Sequence, residues 1–145
     1  MTRKTRLFRP LSVALCALWF AAPAVGQGAG DPEAGARAFR NCTACHAVVA
    51  DDGRVLVPGG RAGPNLYGIA GRRAGTVAGF NYGDSLQRAG AQGLTWTQET
   101  FVDYLVNPTE YLKEWLGDDS ARGTMAFRMK ANREDLWAYL RSLEP

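Results

Sequence analysis

The stretch FRNCTACHAVV, residues 39–49, places Cys42, Cys45 and His46 within five positions, and it constrains the fold of this chain more than any other feature. His46 is the only histidine, and Cys16 is the only other cysteine. Two thiols separated by two residues cannot cross-link distant segments, so the pair supplies no disulfide framework. Its meaning depends on the compartment in which the chain works.

The N-terminus bears on that compartment. Arg3, Lys4, Arg6 and Arg9 precede LSVALCALWFAAPAV, an uncharged, mostly apolar run over residues 11–25, and no acidic residue occurs before Asp31. A basic start, an apolar centre and small residues beyond it read as a secretory signal peptide. As a membrane anchor the run is short, since a span needs about 20 apolar residues. Cleavage after Ala24 and cleavage after Gly26 both satisfy the small-x-small rule. The second divides the chain into a leader, 1–26, and a single domain, 27–145. An uncleaved leader would instead make an anchored subunit. The full chain has 17 basic and 14 acidic residues, a net charge of +3. The leader holds four of the basic residues and none of the acidic ones, so the remainder carries −1. That balance gives no support for nucleic-acid binding.

In an exported chain, C-x-x-C-H is the attachment signal of a c-type haem. Two thiols three positions apart on a helical turn can each add to one vinyl group of the same porphyrin, and the adjacent imidazole can reach iron. A zinc site would want four protein ligands, usually from separated pairs. A redox dithiol normally opens a helix after a strand, whereas the pattern before Cys42 is helical. A disulfide from i to i+3 would be a poor staple. For the second axial position there is no other histidine, which excludes a bis-histidine iron. Met125, between a Gly-containing loop and the last helical segment, is the candidate. Met129 reads as a packing or surface residue, either methionine can be gap-filling in a core, and an open iron is the remaining alternative.

Residues 31–45 read as a helix with Asp31 as N-cap and Pro32 at its first position. The glycines and prolines of 51–95 predict loops with short helical turns and a small hairpin around 49–57. Such a stretch is unusual unless it wraps something. Helical periodicity returns from Thr97, with Phe101, Tyr104 and Leu105 inward. Pro108 breaks it, and a short helix follows to about Gly117. A last helix is expected over 132–142, with Asn132 and Asp135 in the manner of a capping box and a buried stripe of Leu136, Tyr139, Leu140 and Leu143.

Four motifs in order, DPEAGARAF…CTACH, GPNLYGIAGRRAGT, GLTWTQETFVDYLVNP and REDLWAYL, resemble those of the class I c-type cytochromes, most closely the bacterial cytochrome c2 group. The similarity covers about residues 31–143. It implies an all-α fold, the class I cytochrome c fold, with about four to five helices and Gly/Pro-rich loops around one covalent haem. It further implies thioethers at Cys42 and Cys45 and axial iron ligands at His46 and Met125. By the same resemblance, the Pro64 carbonyl would accept the proximal imidazole N–H, and Tyr82, Trp96 and Arg72 would surround a buried haem propionate. Tyr104 would lie near the methionine sulfur, and Gly35 and Phe39 would face Leu136 and Tyr139. On the residues alone, Trp96 and Tyr104 also read as core aromatics and Arg72 as a solvated loop charge.

The implied role is that of a soluble, monomeric periplasmic electron carrier rather than an enzyme, with no nucleic acid and no small-molecule substrate. Its donor would be a membrane cytochrome bc complex and its acceptor a terminal oxidase or a photosynthetic reaction centre. Two departures stand out: LKEWLGDDSARG looks like the insertion of larger bacterial members, and lysine is scarce. Arg37, Arg40, Arg122, Arg128 and Arg133, with Lys113 and Lys130, are the basic groups available for docking.

Overall fold

The computed structural model describes residues 30–144, so the leader expected over 1–26 lies outside the described residues. These form five helices and one two-stranded antiparallel pair.

Helix α1, Pro32–Phe39, starts where the sequence predicts. The Asp31 side chain accepts the Glu33 N–H at 2.8 Å, and proline occupies the first turn. It ends six residues earlier than expected. From Asn41 to Cys45 the backbone closes i→i+3 bonds instead, Cys42 N–H to the Phe39 carbonyl at 2.8 Å and Cys45 N–H to the Cys42 carbonyl at 3.0 Å. Asn41 Nδ2 donates to the Ala38 carbonyl and Thr43 Oγ1 to the Arg40 carbonyl. Short polar side chains compete in this way for the acceptors a continuing helix would use.

The hairpin follows as β1, Val48–Val49, against β2, Val55–Val57, with an irregularity between Val48 and Val49. The loops beyond it contain a helix that the sequence reading lacked. Helix α2, Asp84–Ala91, buries Ser85, Ala89 and Gly90. Its inner face is made of small residues, so it carries no large apolar period to read.

Helix α3, Gln98–Val106, opens with a reciprocal Thr97–Thr100 capping box and buries Phe101, Tyr104 and Leu105 as expected. Helix α4, Pro108–Leu116, is capped by Asn107 and ends at Gly117 in the left-handed region. Helix α5, Arg133–Ser142, starts where expected, with Asn132 as its N-cap, but without the side-chain capping box. Asn132 sits at φ 61° and makes no side-chain cap bond, and its Nδ2 donates to Asp135 Oδ2 at 2.8 Å. In place of a capping box, Asp135 takes the Asn132 amide on Oδ2 and the Asp31 N–H, at 2.8 Å across the chain, on Oδ1. The buried stripe is Leu136, Trp137 and Leu140, with Tyr139 and Leu143 only partly covered. Trp137 turns inward against Phe101, ring centroids 5.2 Å apart.

Helices α1 and α5 form the largest contact between elements. Gly35 makes it possible, since a Cβ there would overlap the backbone carbonyl of Asp135 and press on Tyr139 Cβ. Phe39, 1% exposed, meets the Tyr139 ring at 5.7 Å.

The Asn132 amide, then the Asp31 N–H, hold the Asp135 carboxyl below its ordinary value. A depressed folded value means that this group stabilises the fold above the unfolded pKa, and that the contribution disappears as pH falls through the folded value. Asp135→Asn is therefore expected to flatten the acid limb of stability below about pH 4. Urea unfolding at a series of pH values measures this, and an unchanged acid limb would count against the link.

Candidate functional site

The turn that ends α1 sets the geometry of the C-x-x-C-H motif. His46 N–H donates to the Cys42 carbonyl at 2.8 Å, so both cysteines and the histidine lie on one tight turn. Cys42 is half-buried and Cys45 exposed, and neither forms a disulfide. Burial, with a smaller contribution from Cys45, pushes the Cys42 thiol up to about 11.

His46 is half-buried, and its Nδ1 lies 2.8 Å from the Pro64 carbonyl oxygen. A carbonyl can only accept, so Nδ1 carries the proton and Nε2 keeps its lone pair. Burial lowers the imidazole pKa, against the Pro64 bond that raises it, and so favours the neutral ring. Gly63 lies against the face of that ring, where a Cβ would overlap the imidazole. It also lines an open cleft of about 520 Å³, together with Val49, Pro58, Val77 and Phe80.

Asn65, which was not singled out as a site residue, holds Pro64 in place. Its Oδ1 accepts the Val49 N–H at 3.0 Å and the Tyr67 N–H at 3.1 Å, while Nδ2 donates to the Val49 carbonyl at 2.7 Å. The G-P-N order was the available signal, because an asparagine after a turn proline is suited to bonding nearby backbone. Each such bond contributes about 1 kcal/mol net, and stranding the partly buried Val49 groups costs more. Asn65→Ala is expected to destabilise the protein by about 2–3 kcal/mol, read from denaturant midpoints at constant slope. A loss below about 0.5 kcal/mol would show that Pro64 is held by something else.

Arg72, Tyr82, Trp96 and Tyr104 come together although they span more than 30 positions. The segments 71–74 and 94–96 pair like short strands, with Trp96 N–H on the Arg72 carbonyl and Ala74 N–H on the Leu94 carbonyl, each 2.9 Å. Arg72 is not a solvated charge. Its Nη1 donates to the Tyr67 carbonyl at 2.8 Å and its Nη2 to the Asn65 carbonyl at 3.0 Å. Burial lowers its pKa, and Tyr82 and Glu144 pull it back up. Tyr82 is raised by burial, with a Val77 backbone bond and Arg72 opposing. Trp96 and Tyr104 are each 7% exposed, with ring centroids 5.0 Å apart in an edge arrangement. Burial and the Tyr82 phenol push Tyr104 up to about 12.

Met125 is half-buried and packs against the core cluster. Met129 is 6% exposed, its N–H donates to the Leu105 carbonyl at 2.8 Å, and its own carbonyl accepts from Arg133 Nη1. Met129 is thus a core packing residue, and Met125 is the less covered thioether. Arg133 turns inward to the Met129 and Lys130 carbonyls. Lys113 pairs with Glu110, while Arg40, Arg122, Arg128 and Lys130 are exposed.

The donor set fits a covalent, iron-centred macrocycle. It offers two thiols on one turn, an imidazole with a fixed tautomer and an unengaged Nε2, and a glycine whose lack of a side chain lets the backbone pack against the ring.

No protein-family model matches the chain. It is 46% identical over 140 residues to a cytochrome c2 of Cereibacter sphaeroides, covering 94% of this chain and 96% of that one. It is 46% identical over 135 residues to a cytochrome c-551 of Roseobacter denitrificans, covering 93% and 95% respectively. Among solved structures, cytochrome c2 from Rhodobacter capsulatus superposes with a TM-score of 0.76 at 44% identity, over 78% of this chain and 97% of that one.

Proposed function

This chain belongs to the class I c-type cytochromes, close to cytochrome c2, and from that premise we propose that it is a soluble periplasmic one-electron carrier. Proteins of this group are electron-transfer proteins and not enzymes, and they carry one covalent c-type haem with a His/Met-ligated iron. In the proposed assignment Cys42 and Cys45 form the thioethers, His46 is the proximal ligand and Met125 the distal one.

The single observation that supports this reading best is the His46–Pro64 bond of 2.8 Å, which commits Nδ1 as donor and leaves Nε2 for iron. A bond from the distal ring nitrogen of a metal-ligating histidine to a carbonyl fixes ring orientation and raises ligand basicity. Bound haem supplies the one-electron redox couple, and a His/Met pair raises its potential. The chain's contribution is positional. Tyr82, Trp96 and Arg72 would bond a propionate, since a carboxylate is costly to bury unless paired. Tyr104 would lie near the Met125 sulfur. With His46 and Met125 holding the iron, the bound haem would pass single electrons by outer-sphere transfer, and the chain would offer no place for a bond to a substrate.

The donor would be a membrane cytochrome bc complex and the acceptor a terminal oxidase or photosynthetic reaction centre, reached after export by the leader over 1–26. A potentiometric titration of the holoprotein, with carbon monoxide added to a reduced aliquot, tests the reading. One strongly positive one-electron midpoint without a carbon monoxide shift is the expected result. A low midpoint with ready carbon monoxide binding would mean an open iron and would end the carrier proposal.

A further inference from the structure

Helix α2 packs against the loop that carries Met125. Ser85, on the inner face of α2, is 7% exposed and is the one buried polar side chain among the described residues. Its Oγ accepts the Arg122 N–H at 2.9 Å, three residues before Met125. The position of a Cβ on Gly83 is filled by the Thr124 methyl, 2.6 Å away, so the residue next to Met125 sits directly on the start of α2. Further back, Arg88 Nη1 bridges Asp118 at 2.9 Å and Asp84 at 3.7 Å. Ala121 is 2% exposed, and the Gly123 N–H donates to Thr109 Oγ1 on α4 at 3.1 Å. Beyond Met125 the chain is exposed from Ala126 to Arg128 and is next pinned at Met129. Met125 therefore hangs between the stretch 122–124, held by α2 and α4, and the anchor at Met129.

We propose that Ser85 is a positioning residue for Met125, holding its loop against α2 so that the thioether stays on the iron. The role rests on the assignment of Met125 as the distal ligand. Loss of the hydroxyl strands the Arg122 N–H in a partly buried site, and a backbone donor left without a partner favours the arrangement in which the loop lifts into water. The Arg88–Asp118 pair is partly exposed and contributes less.

The test uses the ferric holoprotein and added imidazole as a competitor for the distal position. Ser85→Ala is expected to raise imidazole affinity about tenfold, equivalent to about 1.4 kcal/mol. It is also expected to weaken the far-red thioether-to-iron charge-transfer band. Arg88→Gln is expected to raise the affinity less than about threefold, in line with a partly exposed pair. Tyr139→Leu, which loses the Phe39 ring contact in the α1–α5 interface, is the control for general destabilisation and should leave the affinity unchanged. An unchanged affinity in Ser85→Ala, or an equal rise in Tyr139→Leu, overturns the positioning role. Absence of the charge-transfer band from the unmodified protein overturns the ligand assignment itself and this role with it.

Discussion

Met125→Ala is expected to turn a closed iron into an open one: the reduced protein should bind carbon monoxide readily where the unmodified protein does not. Its midpoint should fall on the order of 0.1 V, within the roughly 0.8 V range that axial ligands span. In the proposed assignment the thioether would supply the ligand that raises the potential, and its loss would leave a position that water or an added ligand can take. The fold should survive, because Met125 is only half-buried and most of the core is built by other residues. Met129→Leu gives the contrast. Met129 is buried and its backbone is bonded on both sides, so a volume-conserving exchange should cost less than about 1.5 kcal/mol and leave the midpoint in place. A midpoint that moves with Met129 and not with Met125 would reverse the assignment.

Gly35→Ala is expected to be the most damaging single-methyl change in the helical frame. The new Cβ would overlap the Asp135 backbone carbonyl and crowd Tyr139 Cβ. A flexible side chain could turn away, but here the obstacle is the backbone of a packed helix, so relief requires α1 and α5 to separate. Overpacking typically costs 1–3 kcal/mol, and the upper end of about 3 kcal/mol is appropriate where backbone meets backbone. Separation would also loosen the Phe39–Tyr139 contact and the Asp31–Asp135 bond. For a domain of this size each kcal/mol lowers Tm by about 4 °C, giving a fall of about 12 °C, read by calorimetry. A fall of less than about 3 °C would mean that the helices part without penalty, and the close approach would not be structurally important.

Several elements were readable because their signals are local. The Asp31-Pro32 start, the start of α3 at Thr97 and the Pro108 break between α3 and α4 each depend on residues within four positions. The failures share a different cause. Helix α2 has a small-residue inner face, Ser85, Ala89 and Gly90, which shows as burial only once the Arg122 N–H meets Ser85 and the Ala74 backbone lies against Gly90. Asn132 and Asp135 have the spacing of a capping box, but Asp135 is engaged by the Asp31 N–H, 104 positions away. The end of α1 was placed late because helical periodicity does not register Asn41 and Thr43 drawing carbonyls out of the ladder.

The sequence by itself determined the chemistry. Two thiols three positions apart, a single adjacent imidazole and the thioethers of Met125 and Met129 leave few ways to hold a haem, because covalent reach and ligand type are properties of neighbouring residues. Tertiary structure decided which distant groups meet, which no local pattern of residues states. The Pro64 carbonyl meets His46 across 18 positions, Arg72 lies beside Trp96 through paired loops, and Ser85 holds Arg122 across 37. The physical reason is that a buried hydrogen bond depends on where the folded backbone brings donor and acceptor together, and residue spacing does not encode that meeting.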